Sequence, residues 1–249
     1  MSKIKVSFIL TTYNSKDNFC QTIESILSQD YPNIEIIVKD GGSTDGTVDI
    51  IKSYSEKLGD SFKYAVAKDT GIYDAMNQGF ELSTGDLIVV FNDVLAYNSV
   101  VSDVVATFNS FGSDCIGVHS DLNYMDGEKI IRKWRMGKGH FRSGWMPGHP
   151  TLFLKRSVYE ENGLYRTDLK ISADYEFMIR SLYGREDQLA FLPKVTVKMF
   201  YGGTSSAGLS SYLLSLKEGH FGLTHNRVPF AWQIDLFRTL RVLWQLFSH

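Results

Sequence analysis

Four times in the first 111 residues an almost wholly apolar run gives way to a polar turn and then to a stretch with apolar residues three and four apart. Val6-Ser7-Phe8-Ile9-Leu10-Thr11-Thr12 reads as a strand, and Tyr13-Asn14-Ser15 turns the chain. Phe19, Ile23, Ile26 and Leu27 then line one side of a helix, and Asp30-Tyr31-Pro32-Asn33 ends it before a second strand, Ile34 to Val38. The cycle repeats with the polar, glycine-rich loop Asp40 to Thr47, a helix carrying Val48, Ile51, Tyr54 and Leu58, and a strand from Phe62 to Ala67. A helix from Tyr73 to Leu82, a strand from Leu87 to Phe91 and a helix from Val100 to Phe111 complete it. Strands that are apolar on both faces and separated by amphipathic helices run parallel and are covered on both sides, so the expected class is α/β with a mainly parallel central sheet.

The second half is less regular. Cys115 to His119 reads as a short strand and Tyr124 to Trp134 as a hairpin turning at Asp126-Gly127. Thr151 to Leu154 reads as a strand, Ser157 to Asn162 as a short helix, Tyr175 to Tyr183 as a helix entered from Ser172-Ala173-Asp174, and Val195 to Phe200 as a late strand. From Ser210 onward the pattern is helical, broken near Pro229, with neither an internal repeat nor a low-complexity linker before it.

Composition excludes several function classes. The 26 Lys+Arg against 28 Asp+Glu give a formal charge of −2, without the global basicity of a general nucleic-acid binder, and no nucleic acid is expected as a partner. The two cysteines, Cys20 and Cys115, form neither a disulfide framework nor a CxxC pair, and the six histidines make no local zinc-ligand cluster. The first residues carry no signal-peptide pattern and no stretch of 18 apolar residues occurs, so the expected location is cytoplasmic.

In an open parallel sheet, ligands bind beyond the carboxyl ends of the strands. Polar residues collect there: Thr11 to Asn14 after the first strand, Asp40 to Asp45 after the second, Lys68, Asp69 and Gly71 after the third, Asn92 and Asp93 after the fourth. The glycine-rich loop is neither the GxGxxG dinucleotide fingerprint nor a P-loop with its Lys-Ser/Thr ending. Carboxylates crowded where phosphate would sit repel it unless a divalent cation intervenes, so Asp93 reads as a ligand for Mg²⁺ or Mn²⁺. Capping of the turn after its strand is the alternative role for the same side chain.

The segments Val6–Asn14, Val38 to Thr47, Asp69 to Gly79 and Thr84-Gly85-Asp86 resemble those of family 2 glycosyltransferases with the GT-A fold. A looser likeness continues through Gly148-His149-Pro150 and Ile171 to Glu176 to Gly202-Gly203-Thr204-Ser205. The resemblance implies a Rossmann-like central sheet flanked by helices, and transfer of a sugar from a nucleotide-diphosphate donor to an acceptor hydroxyl with inversion. It implies a glycosyltransferase domain over residues 1–209, with a nucleotide-binding half at 1–98 and an acceptor-side half at 99–209. Residues 210–249 then form a C-terminal helical extension. By the same likeness Thr11 and Asp40 contact the base and ribose, with Tyr13 and Asp69 beside the nucleoside and Asp93 at the metal position. Family members commonly carry a doubled acid there, whereas this chain reads Phe91-Asn92-Asp93-Val94.

Asp174 falls at the position of the catalytic base, with His149 orienting donor or acceptor and Tyr201 and Thr204 as further candidates. Two structural roles compete: Asp174 as a helix N-cap and His149 as a buried structural histidine. Asp45 and Asp74 read as residues that steady helix N-termini.

On the acceptor side, Lys129, Arg132, Lys133, Arg135, Lys138 and Arg142 form a basic window suited to a lipid-diphosphate-linked saccharide or to the inner face of a membrane, and equally to a solvated loop. In the C-terminal segment Phe230, Ile234, Phe237, Leu240, Trp244 and Phe247 can share one helical side, with Asp235, Arg238 and Gln245 opposite. That pattern fits a packed helix, a homo-oligomer contact or a peripheral membrane helix. The chain therefore reads as a transferase of surface polysaccharide biosynthesis. The alternative is a nucleotide-sugar-binding or scaffolding homologue with weak or no catalysis, suggested by the single acid at Asp93.

Overall fold

Parallel pairing governs the first part of the chain in the computed structural model, which describes residues 4–200 and 209–247. In order come β1 (Val6–Thr12), α1 (Lys16–Leu27), β2 (Ile34–Asp40), α2 (Thr47–Leu58), β3 (Phe62–Val66), α3 (Ile72–Leu82) and β4 (Leu87–Val90). β1 lies between β2 and β4, with β3 outside β2, and every pairing among the four is parallel. Then follow β5 (Val94–Leu95), α4 (Val100–Phe111), β6 (Gly117–Asp126), β7 (Lys129–Trp134), β8 (Phe153–Lys155), α5 (Arg156–Asn162), α6 (Ala173–Leu182) and β9 (Leu189–Phe200). Two helices end the chain, α7 (Leu209–His225) and α8 (Ala231–Phe247).

The nine-stranded sheet runs β3-β2-β1-β4-β8-β6-β9-β5, with β7 hanging from β6. β8 is antiparallel to both β4 and β6, and β5 to β9, so the parallel character stops at β4 and returns only in the β6–β9 pair. The hairpin between β6 and β7 pairs Asp126 with Lys129, which moves the turn one residue on, to Gly127-Glu128. Gly127 holds φ +55 there, a left-handed backbone that glycine adopts without a Cβ clash. β9 begins six residues ahead of the expected strand because its first half pairs with β6.

Alternation along each strand sends side chains to two cores. Phe8, Leu10 and Val89 meet Phe19 and Ile23 of α1, Ile51 of α2 and Val104 of α4 on one face. Ile9, Ile37 and Ile88 meet Met76 of α3, Phe177 of α6, Leu223 of α7 and Ile234 of α8 on the other, so the C-terminal helices share the second core.

At the amino ends of the strands, opposite the edge where the polar loops gather, Glu35 sits fully buried in β2. Its carboxylate accepts from Ser7 Oγ at 2.5 Å, Thr84 Oγ1 at 2.9 Å and the Thr84 backbone N–H, and pairs with Lys5 Nζ at 2.8 Å and Lys63 Nζ at 3.5 Å. Burial alone would raise its pKa, but the hydrogen bonds from Lys5, Ser7 and Thr84 prevail and lower it to about 2.

Candidate active site

The loops after β1, β2 and β3 close on one another through backbone and side-chain bonds. Gly41 N–H donates to Thr12 O, and a Cβ on Gly41 would stand 3.0 Å from Asp69 Oδ2 and 3.2 Å from the Tyr13 ring. Glycine is what allows Tyr13, Gly41 and Asp69 to meet at this point. Asp40 is buried, and both its oxygens are engaged inside its own loop: Oδ1 accepts from the Gly42 and Ser43 N–H groups, Oδ2 from Ser43 Oγ. Asp69 Oδ1 accepts from Gly71 N–H, while its Oδ2 lies 3.3 Å from Lys39 Nζ. Lys39 is itself fully buried and also donates to Asp40 O and Ala67 O, binding the second and third loops together. Tyr13 is 65 % exposed, an unhindered ring at the rim of this basin. Asp45 accepts from Thr47 N–H and Oγ1 at the start of α2, and Asp74 from Thr70 N–H, as expected of residues that steady helix entries.

The fourth loop joins the same edge. Asn92 accepts from Thr11 N–H and donates to Thr11 Oγ1, both at 2.9 Å, fixing Thr11 beside the end of β4. Asp93 is 7 % exposed, and its Oδ1 accepts from Phe200 N–H at 3.0 Å. Burial raises its pKa to about 7, opposed only by that N–H. Among the described residues neither a lysine nor an arginine pairs with Asp93, and no group of three His, Cys, Asp or Glu side chains is arranged to hold a metal.

Asp174 stands at the second position of α6, whose N-cap is Ser172. The N-cap position expected as an alternative for Asp174 is held by Ser172, and Glu218, reaching over from α7, accepts the N–H groups of Lys170, Ile171 and Ser172 at the entry to the helix, each at 2.9 Å. Glu176, the other acid of this turn, is buried and held by Arg180 and Asn226. Asp174 is thus left to face a cavity, with Tyr73 Oη donating to its Oδ1 at 3.2 Å. Tyr73 is the second residue of α3, which follows the Asp69-Thr70-Gly71 loop, so one hydroxyl links that helix entry to this carboxylate.

The cavity, about 730 Å³, lies between the β6–β7 hairpin, the Gly144 to Pro150 segment, the start of α6, and α7 and α8. Its wall includes Tyr124, Trp134, Trp145, His149, Asp174 and Arg238. Tyr124 and Trp134 stack with ring centroids 6.1 Å apart, and the Arg132 guanidinium lies over both rings. Burial pushes the Tyr124 phenol up to about 12, with the charges of both Asp93 and Asp174 adding to the effect. The Arg132 charge opposes this rise, and the Phe200 whose N–H binds Asp93 also lines the cavity. His149 Nε2 is 2.9 Å from Tyr165 Oη, and burial lowers its pKa while the Asp174 charge pulls it upward. Asn77 fixes Tyr165 in turn, accepting from its N–H and donating to its C=O.

Of the basic window only Arg132 lines the cavity; Arg135 is turned to Leu122 O and Asn123 Oδ1, and Arg142 to Tyr183. Arg238, which the linear pattern placed opposite the apolar side of the C-terminal helix, points in, 4.2 Å from the Tyr175 ring centroid. Tyr73, Lys39 and Arg238 are site residues to which the motifs gave no role, although Lys39 and Tyr73 lie within the matching segments Val38 to Thr47 and Asp69 to Gly79; Arg238 had no signal. Tyr201 and Thr204 lie outside the described residues.

Comparison with known proteins bears on this arrangement. The sequence profile described as "Glycosyl transferase family 2" matches residues 7–178. A PGL/p-HBAD biosynthesis glycosyltransferase of Mycobacterium tuberculosis is 30% identical over 183 residues, 70% of this chain and 68% of the relative. In fold, the chain resembles S. aureus TarS 1-349, crystallised with UDP-GlcNAc, at TM-score 0.73 and 18% identity, covering 97% of this chain and 73% of that one. It also resembles the mannosyltransferase PcManGT of Pyrobaculum calidifontis, solved with GDP-Man and Mn2+, at TM-score 0.65 and 16% identity, covering 99% and 73%.

Proposed function

The chain belongs to glycosyl transferase family 2, and from that premise we propose that a nucleotide-diphosphate sugar sits on the loops after β1, β2 and β3 while the acceptor occupies the cavity beside Asp174. The observation that supports this reading is the Tyr73–Asp174 hydrogen bond, which ties the helix entered from the Asp69 loop to the carboxylate at the cavity wall. The Asp174 carboxylate takes the acceptor proton as the hydroxyl oxygen attacks the anomeric carbon. The bond from that carbon to the diphosphate breaks, and its electron pair leaves with the diphosphate, so configuration inverts without a covalent intermediate. Thr11, Tyr13, Asp40 and Asp69 hold the nucleoside, and His149, turned toward Tyr165, orients the acceptor. Saccharides or lipid-linked saccharides suit a cavity walled by tryptophan, tyrosine and arginine, and we place the work in surface polysaccharide assembly at the inner membrane face.

Asp93 fits a divalent cation as a single-carboxylate ligand. A buried carboxylate with no cationic neighbour is relieved by a metal, and Mg²⁺ or Mn²⁺ commonly takes its remaining positions from substrate phosphates and water. When bound, such a cation neutralises charge on the departing diphosphate. Asp93→Asn is expected to weaken Mn²⁺-dependent binding of nucleoside diphosphate about tenfold, read by titration calorimetry with and without the metal.

Tyr73→Phe tests the bridge. It removes one hydrogen bond to Asp174 while keeping the buried ring, so kcat should fall about tenfold, the equivalent of about 1.4 kcal/mol. Donor KM and melting temperature should hold. A raised donor KM with unchanged kcat would instead assign Tyr73 to nucleotide binding.

The reading as a whole is tested by titrating a panel of nucleotide sugars and following transfer to lipid-linked and free saccharides. Tight donor binding with no product from any acceptor, and with the same result for wild type and Asp174→Asn, would favour the non-catalytic binding homologue that the single acid at Asp93 suggests.

A further inference from the structure

α8 is inside out. Ile234 is buried and Arg238 is turned inward against Tyr175, while Trp232, Leu236 and Leu240, spaced four apart, share a stripe with Phe237 that faces solvent. Trp232 is 62 % exposed and Leu240 52 %; Phe230, which opens the helix at φ +58, is 67 % exposed, and Leu213 on α7 is 57 % exposed. A helix docked on a core ordinarily shows the reverse arrangement, and exposed apolar surface gathered on one element marks an interaction site.

Lys217, four residues along α7 from the exposed Leu213, and Arg227, three residues before the exposed Phe230, are themselves exposed. Both acids of this two-helix unit are taken up internally: Glu218 is buried on the backbone of residues 170–172, and Asp235 Oδ2 lies 2.7 Å from His220 Nδ1. Asp168, brought toward α7 by Arg166, is paired with that arginine. The face is thus aromatic, aliphatic and cationic, with no free acid among its described residues. A second copy of the chain would meet it in a two-fold contact that sets the same cations against each other. An anionic bilayer surface matches it in both respects: aromatic and branched side chains enter the interfacial layer while lysine and arginine meet lipid headgroups. Among the described residues no helix is long and apolar enough to cross a membrane, so the contact is one of lying on the surface.

We propose that the outward face of α8, with the adjoining part of α7, is a docking surface for anionic phospholipid bilayers. The proposal deepens the reading of an enzyme working at a membrane face. Its test reads binding without turnover, so that its failure would leave sugar transfer standing. The full chain is to be sedimented with vesicles of phosphatidylcholine alone and of phosphatidylcholine with phosphatidylglycerol, following Trp fluorescence in parallel. At least tenfold stronger partitioning onto the anionic vesicles is expected, falling steeply with added salt. Combining Trp232→Ser, Leu236→Ser and Leu240→Ser should cut partitioning at least tenfold, and Lys217→Glu with Arg227→Glu should remove the preference for anionic lipid. Melting temperature and nucleotide binding serve as the controls of folding. Equal partitioning of wild type and the triple variant would overturn the proposal. So would an absence of vesicle binding, whether the chain stays monomeric or proves to be a dimer that the triple variant dissolves.

Discussion

Asp174→Asn is expected to reduce sugar transfer by about a thousandfold while leaving donor affinity within a factor of two or so. The size follows from removing the carboxylate that faces the cavity from the start of α6, where Glu176 is locked to Arg180 and Asn226, and Glu218 to backbone N–H groups. The donor should be indifferent, because the exchange keeps the shape of the side chain and an oxygen able to accept from Tyr73. Single-turnover transfer from a labelled nucleotide sugar, set beside calorimetric donor titration, separates the two quantities. Near-wild-type turnover in the variant would move the base elsewhere. The helix itself should survive the exchange, since Ser172 and Glu218, not Asp174, occupy its entry.

Glu35→Ala should be the most damaging single change to stability, about 3–5 kcal/mol, the usual loss when one partner of a buried ionic network is deleted. It would leave Ser7 Oγ, the Thr84 N–H and two lysines without the carboxylate that now joins β1, β2 and the entry to β4. Urea unfolding of wild type and variant measures the difference. Its pH dependence has a definite sign. The folded pKa is depressed, so the contribution is complete above the ordinary value near 4.5 and disappears as pH falls toward about 2. The two unfolding curves should therefore converge on acidification through that window, where the wild-type advantage of about 3 kcal/mol is lost. A constant gap across those pH values would mean that packing around Glu35, and not its charge, holds the strands.

The first hundred residues were legible because their signal is local. Apolar runs such as Ile34 to Val38 and Leu87 to Val90 are strands whatever lies around them, and the polar ends of those strands had to share one edge once the strands ran parallel. What the chain concealed was pairing between distant positions. Tyr73 was visible as a helix start, but its partner lies 101 residues later; Glu35 reads as an interruption in a strand until Thr84 is brought beside it. β8 looked like one more strand, yet its antiparallel direction depends on how residues 135–152 carry the chain back from β7. The C-terminal stripe was left open between a packed, an oligomeric and a membrane-facing helix, because periodicity gives the faces of a helix and not their orientation. The cavity lined by Arg238 decides the matter by drawing the polar side in.

The carboxylate that seals the head of α6 comes from α7, some 46 residues downstream. A related chain could not exchange its tail for another as an independent cassette: the replacement would have to supply its own acid at the position of Glu218, or the segment bearing Asp174 would fray. Whatever the two terminal helices grip, they are also part of the enzyme's working parts, and selection acting on attachment is bound to act on turnover as well.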